Sequence, residues 1–251
     1  TFVRRIQDQT GAKLAFLDSD ICTRLKLNLP VILLDQTPPP GSEEVVDASV
    51  SASSEDDVVE IVFTSGTSSD PKGVRITNRN LISNLLPLER EIQRYLKWEP
   101  LVHPIRFLNL LPLSHIFGQF MGVFVPQLLG GQVFFHETLS PSQIISTVKR
   151  ERVSVIICVP RLLETLRERV EREYQDQQQW LGSALSAAKR WNPLKRWWVF
   201  RKVHRLFGLK FWAFISGGAT LSPELEEFWH RLGFVVIQGY GMTETSSLIS
   251  V

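Results

Sequence analysis

Short apolar runs alternate with amphipathic segments along the second half of this 251-residue chain, and this alternation limits its possible folds more than any other feature. The clearest runs are 153–159 (VSVIICV), 211–215 (FWAFI) and 234–238 (FVVIQ). Each is long enough for a buried strand and too short for a helix that spans a membrane. A segment with helix periodicity lies between successive runs, and one of them begins at the capping pair Ser222-Pro223. The pattern predicts βαβ units, hence an α/β fold of mostly parallel sheets flanked by helices.

We expect two such lobes, stacked on each other, with residues 1–105 in the first subdomain and 106–251 in the second. A helix is predicted after Asn78, and Pro87 should distort it or end its first part. Residues 37–57 are rich in Pro, Ser and acidic side chains and are typical of a loop. The chain starts without Met and stops directly after an apolar stretch. We therefore expect a fragment of a longer protein, truncated at both ends.

The composition is that of a soluble globular protein, with 43% hydrophobic and 22% charged residues. A net charge of +2 argues against broad nucleic-acid binding. The first residues lack the apolar core of a signal peptide, and two cysteines fit a reducing compartment, so a cytoplasmic location is expected. Cys158 lies inside an apolar run, which indicates a core residue rather than a nucleophile.

The loop 63–74 (FTSGTSSDPKGV) follows an apolar strand and is dense in hydroxyls, glycines and one lysine. Loops that leave a strand in this way usually lie at the ligand-binding edge of a sheet. Glycine lets the backbone approach an anion, and hydroxyl and ammonium groups donate to phosphate. The alternative is a solvated Ser/Gly turn. The candidate phosphate ligands are Thr64, Ser65, Gly66, Thr67, Ser68 and Lys72, but their spacing is not that of a Walker A loop.

A second polar segment, 237–247 (IQGYGMTETSS), follows another apolar strand. Tyr240 offers a flat face on which a purine could stack, and Thr243 could donate to a phosphate. Glu244 is a hard oxygen ligand of the kind that Mg²⁺ prefers. Read alone, this segment is equally typical of a glycine turn beside a surface acid.

Both segments resemble, in order, the signatures of the adenylate-forming superfamily, which includes acyl-CoA synthetases, luciferases and peptide-synthetase adenylation domains. Ser68 and Ser69 depart from the Thr and Gly usual there, and Ser69 loses the freedom of glycine. Two further segments, 111–119 (LPLSHIFGQ) and 215–228 (ISGGATLSPELEEF), are similar to the acyl-pocket and adenine-site segments of that family. With the 159–164 segment and a long insertion at 165–210, the chain resembles long-chain fatty acyl-CoA synthetases most.

The resemblance implies an acid–thiol ligase that joins a long-chain fatty acid first to AMP and then to CoA. It implies ATP, Mg²⁺ and CoA as small-molecule partners, phosphate binding at 64–73, Mg²⁺ binding by Glu244 and Thr67, and a carboxylate pocket bordered by His115. Lys72, Thr243, Glu244 and His115 would be catalytic. The implied nucleotide-binding residues of the second subdomain are Gly217, Gly218, Ala219, Gln238, Gly239, Tyr240, Gly241, Met242 and Thr243.

The family also has a C-terminal domain with a lysine-bearing loop, and we expect that domain to be absent from this chain. The isolated chain should therefore turn over poorly or not at all. Two alternatives stay open. One is another adenylating enzyme, such as a short-chain acyl-CoA synthetase or a peptide-synthetase domain. The other is a non-catalytic nucleotide-binding protein. A serine hydrolase is excluded because no Gly-x-Ser-x-Gly elbow occurs.

Residues 189–212 interleave basic and aromatic side chains and contain no acid. One hypothesis is contact with an anionic membrane surface, since clustered cations are attracted there and Trp favours the interface. The alternative is that the aromatic side chains pack in the core or line the acyl tunnel while the cations face water.

Overall fold

The structure, a computed structural model, describes residues 2–25, 27–37, 54–64, 72–95, 104–136 and 140–245. Most of the predicted loop at 37–57, namely residues 38–53, and most of the predicted phosphate loop, including Ser65, Gly66, Thr67 and Ser68, lie outside the described residues. The chain divides into two compact units, one of residues 1–57 and 63–74 and the other of residues 58–62 and 75–251. The predicted boundary at residue 105 stays a prediction.

The first unit contains two short helices, α1 (Phe2–Thr10) and α2 (Ser19–Arg24), and a parallel pair of strands, β1 (Ala15–Leu17) and β2 (Val31–Leu33). A single 3₁₀ turn, Leu34–Gln36, follows β2. The Asp35 carboxylate accepts a 3.0 Å hydrogen bond from the Ser19 backbone N–H at the start of α2. This bond fastens the turn to the helix.

Two strands, β3 (Val58–Thr64) and β4 (Lys72–Thr77), pair with each other beside the predicted phosphate loop. Helix α3 (Asn78–Tyr95) follows β4 directly. Of the two outcomes expected of Pro87, an end to the first part of the helix is wrong, because α3 continues through it, and a distortion of the helix stays a prediction. Leu85 and Leu88, on either side of Pro87, pack against the core, and this packing offsets the hydrogen bond that proline cannot donate.

The second unit is built on a parallel sheet of five strands in the order β6-β5-β7-β8-β9. The strands are β5 (Arg106–Asn109), β6 (Gln132–Phe135), β7 (Val155–Cys158), β8 (Ala213–Ser216) and β9 (Val235–Gln238). Strand β6 lies on one side of β5 and β7 on the other, so the strand order reverses at β5. The predicted α/β class with a mostly parallel sheet is confirmed.

Helices cover both faces of this sheet. On one side a helical segment passes from α4 (Ile116–Gln119) through a π-helical stretch, Phe120–Phe124, to α5 (Val125–Leu128). The other helices are α6 (Pro141–Arg150), α7 (Pro160–Glu173), α8 (Gln178–Ala188), α9 (Pro193–Val199), α10 (Arg201–Phe207) and α11 (Pro223–Leu232). Ser222 caps α11 by accepting a hydrogen bond from Leu225 N, and Gly233 ends it in the left-handed conformation, as the sequence predicts.

The larger core cluster is rich in aromatic rings. Phe214 of β8 packs 4.7 Å from Trp229 and 4.8 Å from Phe211, measured between ring centroids, and all three side chains are buried. Cys158 belongs to the same cluster, and burial raises the pKa of its thiol to about 12. The interpretation of Cys158 as a core residue is therefore confirmed.

The basic and aromatic segment 189–212 divides between core and surface. Phe200, Phe207 and Phe211 are buried, as the core alternative requires. Trp197 and Trp198 are exposed on α9 together with Leu194, which is 80% exposed. Among the described helices, none combines the length and apolar content needed to cross a membrane.

Candidate functional site

The carboxyl ends of four neighbouring strands of the five-stranded sheet meet at one edge, which we call the carboxyl edge. Backbone hydrogen bonds extend the pairing just beyond the strand ends, with Gly217 N donating to Cys158 O at 3.2 Å and Gly239 N donating to Ser216 O at 2.9 Å. These bonds fix the positions of the segments that leave β8 and β9. The carboxyl edge of an open parallel sheet is where ligands usually bind.

A cavity of about 360 Å³ opens at the carboxyl edge. Segments that are far apart in sequence line it: the one after β5, the start of α7, and the loops after β8 and β9. Its volume lies within the range of small-molecule sites. The predicted site residues that line it are His115, Gly217, Gly218, Gly239, Gly241, Met242 and Thr243.

Two of these glycines keep the cavity open. A Cβ atom on Gly217 would lie 2.4 Å from the Phe117 ring, which is closer than real contacts allow. Gly218 adopts a φ of +78°, which side chains other than glycine rarely reach, and nothing lies within 4 Å of where its Cβ would be. Gly218 thus leaves its backbone open to a ligand, and Gly217 leaves room for the Phe117 ring, which also lines the cavity.

His115 occupies the N-cap position of α4, in the segment between β5 and that helix. Its backbone N–H donates to Pro112 O at 3.1 Å, and its own carbonyl accepts from Gln119 N. The Gln119 side chain donates to the Glu60 carboxylate at 2.6 Å and to Leu113 O at 2.7 Å. The exposed imidazole therefore projects from a segment that is anchored at both ends.

The segment after β9 forms a single 3₁₀ turn at Thr243–Thr245. The Thr245 hydroxyl accepts from Met242 N at 3.1 Å, and Asn84 of α3 donates its side-chain amide to Thr245 O at 3.2 Å. These bonds hold the backbone of the turn that carries Thr243 and Glu244. The Glu244 side chain lies outside the described residues.

The remaining predicted residues do not line this cavity. Ala219 and Gln238 are exposed at the same sheet edge, and Tyr240 is 59% exposed, so its ring presents a free face. Thr64, at the end of β3, is partly buried, and Lys72, the first residue of β4, is exposed. Both belong to the first unit.

Sequence reasoning missed Asn109, which is 1% exposed at the end of β5. Its side-chain amide donates to Gly118 O at 3.3 Å and its carbonyl oxygen accepts from Leu111 N at 3.0 Å. A Cβ on Gly122 would strike this amide at 2.1 Å. Asn109 therefore shapes the turn that leads to His115. The signal was an amide inside an otherwise apolar strand, which a buried site accepts only with partners.

A second cavity, of about 540 Å³, adjoins the first at the ends of β5, β6 and β7. Both cavities share Leu111, Pro112 and Val159 in their lining. The rest of its lining is mostly apolar and includes Phe135, Leu162 and Cys158. The carboxyl edge thus offers a glycine-lined cavity beside an apolar one.

Comparisons with known proteins agree with this architecture. Long chain acyl-CoA synthetase 1 of Arabidopsis thaliana is 27% identical over 201 residues, which cover 74% of this chain and 30% of that protein. The peroxisomal long chain acyl-CoA synthetase 6 of the same plant is 31% identical over 214 residues, or 78% of this chain and 28% of that protein. The chain spans less than a third of the length of either relative.

The fold likeness extends to solved structures. The o-succinylbenzoate coenzyme A synthetase of Bacillus subtilis, in complex with ATP and magnesium ion, superposes with a TM-score of 0.64 at 23% identity. The match covers 98% of this chain and 43% of that one. The profile of one protein family, described as AMP-binding enzyme, matches residues 3–251. The resemblance to adenylate-forming enzymes, and to long-chain acyl-CoA synthetases among them, is confirmed, and the chain belongs to the AMP-binding enzyme family.

Proposed function

We propose that this chain is the nucleotide- and acyl-binding part of an acid–thiol ligase that activates a long-chain fatty acid with ATP and transfers the acyl group to CoA. One observation carries the proposal. The segments around His115, Gly217 and Thr243, which are far apart in sequence, line a single cavity at the carboxyl edge. The similarity to long chain acyl-CoA synthetases supports a fatty acid as the carboxylate substrate.

The cavity suits a nucleotide on physical grounds. Its glycines expose backbone where a flat ligand can lie, and the free ring face of Tyr240 can stack on a purine. Gln238 and Ala219 would hold the nucleoside from the same edge, and His115 would border the reacting carboxylate. The loop 64–73, with Lys72, would hold the β- and γ-phosphates.

The donor chemistry also suits Mg²⁺ that arrives with ATP. Among the described residues no three His, Cys, Asp or Glu side chains gather as a metal site. Mg²⁺ in nucleotide sites takes most of its ligands from phosphates and water and needs one or two protein oxygens. Glu244 and Thr67 would supply these, and the ion would neutralise the charge of the leaving pyrophosphate.

In the first step a carboxylate oxygen of the fatty acid attacks the α-phosphorus of ATP. The bond to the oxygen that bridges to the β-phosphorus breaks, and pyrophosphate leaves. In the second step the sulfur of CoA attacks the acyl carbon, the thiol proton is lost, and AMP leaves with the carboxylate oxygen. The contribution of this chain is charge neutralisation by Lys72 and positioning by Thr243 and the glycine segments.

Calorimetric titration with Mg·ATP tests the assignment. We expect binding to the parent protein and weaker binding to Glu244→Ala and Lys72→Ala. Glu244→Ala would lose an oxygen ligand of the Mg²⁺ that accompanies ATP, and Lys72→Ala would lose a cation that attracts the phosphates. Glu89→Ala, on α3, is the matched control for loss of a carboxylate. Binding that is unchanged in both variants would refute the assignment. A chain-length profile of adenylate formation by the full-length protein then tests the fatty acid as substrate.

We also propose that the enzyme works in the cytoplasm at an anionic membrane surface, which residues 189–212 would contact. Leu194 and Trp198 are 80% and 64% exposed on α9, and the Arg201 guanidinium lies 5.1 Å from the centre of the Trp198 ring. Apolar side chains beside cations favour such an interface. Co-sedimentation with vesicles should fall in Leu194→Ser and Trp198→Ser but not in Leu86→Ser, an exposed position on α3. Vesicle binding that does not depend on the content of anionic lipid would refute the membrane contact.

A further inference from the structure

A cavity of about 310 Å³ lies at the opposite, amino edge of the five-stranded sheet. It is enclosed by the C-terminal ends of α6 and α10 and by the loops that enter β7 and β8. Because β7 and β8 are parallel neighbours, both loops meet at this edge. We call it the amino-edge pocket. Four cationic side chains line it: Lys149, Arg152, Arg205 and Lys210.

These cations lack counter-ions within the part of the chain that the structure describes. None of the four makes a side-chain hydrogen bond or ion pair there, and no described acid lines the pocket. Glu151, the acid nearest in sequence, pairs with Arg150 at 2.5 Å. Two helix C-termini offset only about half an elementary charge each. The pocket therefore keeps a large positive excess that an anion would relieve.

The backbone at Arg152 adds an independent observation. Helix α6 ends in a Schellman motif, in which Val153 N donates to Val148 O at 2.9 Å and Arg152 N to Lys149 O at 3.3 Å. Arg152 is thereby held at a φ of +52°, the only non-glycine residue with positive φ among those described. Helix α11 ends in the same motif with glycine, at Gly233. An arginine kept where glycine is favourable points to a use for its side chain.

The turn that carries Arg152 is also held in place from the sheet. The Arg106 side chain, at the start of β5, donates to Glu151 O at 2.7 Å, and the Ser154 hydroxyl accepts from Arg106 N at 3.3 Å. On the other wall, Gly208 has a φ of +96°, and a Cβ there would lie 3.7 Å from Lys149. The backbone of the pocket is thus preformed, so a ligand that enters has to order side chains only.

We propose that the amino-edge pocket binds a phosphate group, and that an anionic lipid carries this phosphate. Four cations suit the charge and oxygen acceptors of phosphate. Leu209, in the lining of the pocket, is 70% exposed, so an apolar side chain stands beside the cations, as a membrane surface requires. This lipid assignment rests on the membrane contact proposed above, and it locates a headgroup site for that contact.

The test uses vesicles of phosphatidylcholine with and without phosphatidic acid, and in parallel inorganic phosphate in solution. Arg152→Gly removes one cation and leaves a residue suited to the backbone, so folding is kept. Lys210→Gln removes another. We expect each to weaken vesicle binding about fivefold, since a cation near an anionic surface contributes about 1 kcal/mol. Arg172→Gln, an exposed cation of α7 outside the pocket, should change binding by about twofold or less.

Equal losses in Arg172→Gln and in the pocket variants would mean diffuse attraction and would overturn the site. Binding of inorganic phosphate that depends on Arg152, with vesicle binding that does not, would overturn the lipid as carrier. Loss of vesicle binding in Trp198→Ser but in neither pocket variant would refute the pocket and leave the membrane contact standing. Mg·ATP titration of the pocket variants should match the parent, which separates this inference from the proposed activity.

Discussion

We propose that both edges of the five-stranded sheet bind anions, and the two edges differ in the groups that line them. At the carboxyl edge the described cavity lining carries no acid, Lys or Arg and consists of glycine backbone, His115, Thr243 and apolar side chains. At the amino edge four cations line a pocket. The helix polarity explains the difference. Helices begin at the carboxyl edge, as α7 does after Val159, and their N–H groups attract anions. They end at the amino edge, where only an excess of cations can attract an anion.

Strand β8 joins the two edges, because Lys210 precedes it and Gly217 follows it. Phe214→Ala should therefore damage both edges together. Removing this buried ring leaves a cavity among Phe211 and Trp229 and should lower the free energy of unfolding by about 3–5 kcal/mol. Urea denaturation measures the loss.

The matched control for that variant is Phe135→Ala on the edge strand β6, where the ring is 55% exposed. It should cost far less, since most of the ring already contacts water. Comparable losses in the two variants would contradict the view that β8 is the shared support of both edges.

Gly217→Ala should affect the carboxyl edge alone. The added methyl would push the Phe117 ring into the cavity, which should cost about 1–3 kcal/mol of stability and weaken Mg·ATP binding. Combining Gly217→Ala with Phe117→Leu should restore part of the stability and part of the Mg·ATP binding. The double-mutant cycle then gives the interaction energy between positions 217 and 117. Gly182→Ala on α8, where nothing lies within 4 Å, should instead stabilise the protein by up to about 1 kcal/mol.

Arg152→Gly should affect the amino edge alone and with the opposite sign. Glycine reaches the left-handed conformation without strain, so the free energy of unfolding should rise by up to about 1 kcal/mol while a cation is lost. In Arg150→Gly, a substitution inside the last turn of α6, the free energy of unfolding should fall by about 1 kcal/mol. Thermal melts of the two variants should therefore shift in opposite directions, and a destabilised Arg152→Gly would refute the strain argument.

The smallest expected effect is a loss of stability at acidic pH through His204. Burial lowers the pKa of His204 on α10, although the hydrogen bond to Leu232 O at 2.9 Å opposes the shift. In the unfolded chain His204 binds a proton as the pH falls through about 6.5, whereas in the folded protein it stays neutral to lower pH. Proton binding therefore favours the unfolded chain, and the free energy of unfolding falls as the pH drops below about 6.5. The difference in urea midpoints between the parent and His204→Phe should shrink or reverse on acidification. A pH-independent difference would contradict this assignment.

Local patterns in the sequence predicted the elements of the second unit well. Strands β7 and β9 lie within their predicted apolar runs, β8 extends one residue beyond its run, to Ser216, and α11 begins and ends at the residues that its capping pattern indicates. Helix α3 shows where such patterns fail. Pro87 is a local signal to stop, yet the neighbouring leucines are held by distant parts of the core, and no local window contains that information.

The sequence indicates which residues could belong to the candidate site, but it does not show which of them contact one another. Glycine at 217 and 218 could be read as a place for close approach, but the reason that Gly217 excludes a side chain is Phe117, a hundred residues earlier in the chain. Sequence reasoning missed Asn109 because one of its partners, Gly118, lies in α4 and comes within reach only in the folded chain.

The sequence by itself determined the α/β class, the family and the residues at the strand ends, because strand and helix periods, caps and glycine loops are properties of neighbouring residues. Tertiary structure alone decided the strand order β6-β5-β7-β8-β9 and therefore which strand ends meet. It also decided that four cations gather at the amino edge in a pocket with no acid among its described lining residues. Strand order follows from how helices pack across the whole sheet, and charge excess depends on which distant side chains fold together, so neither is written in any local segment.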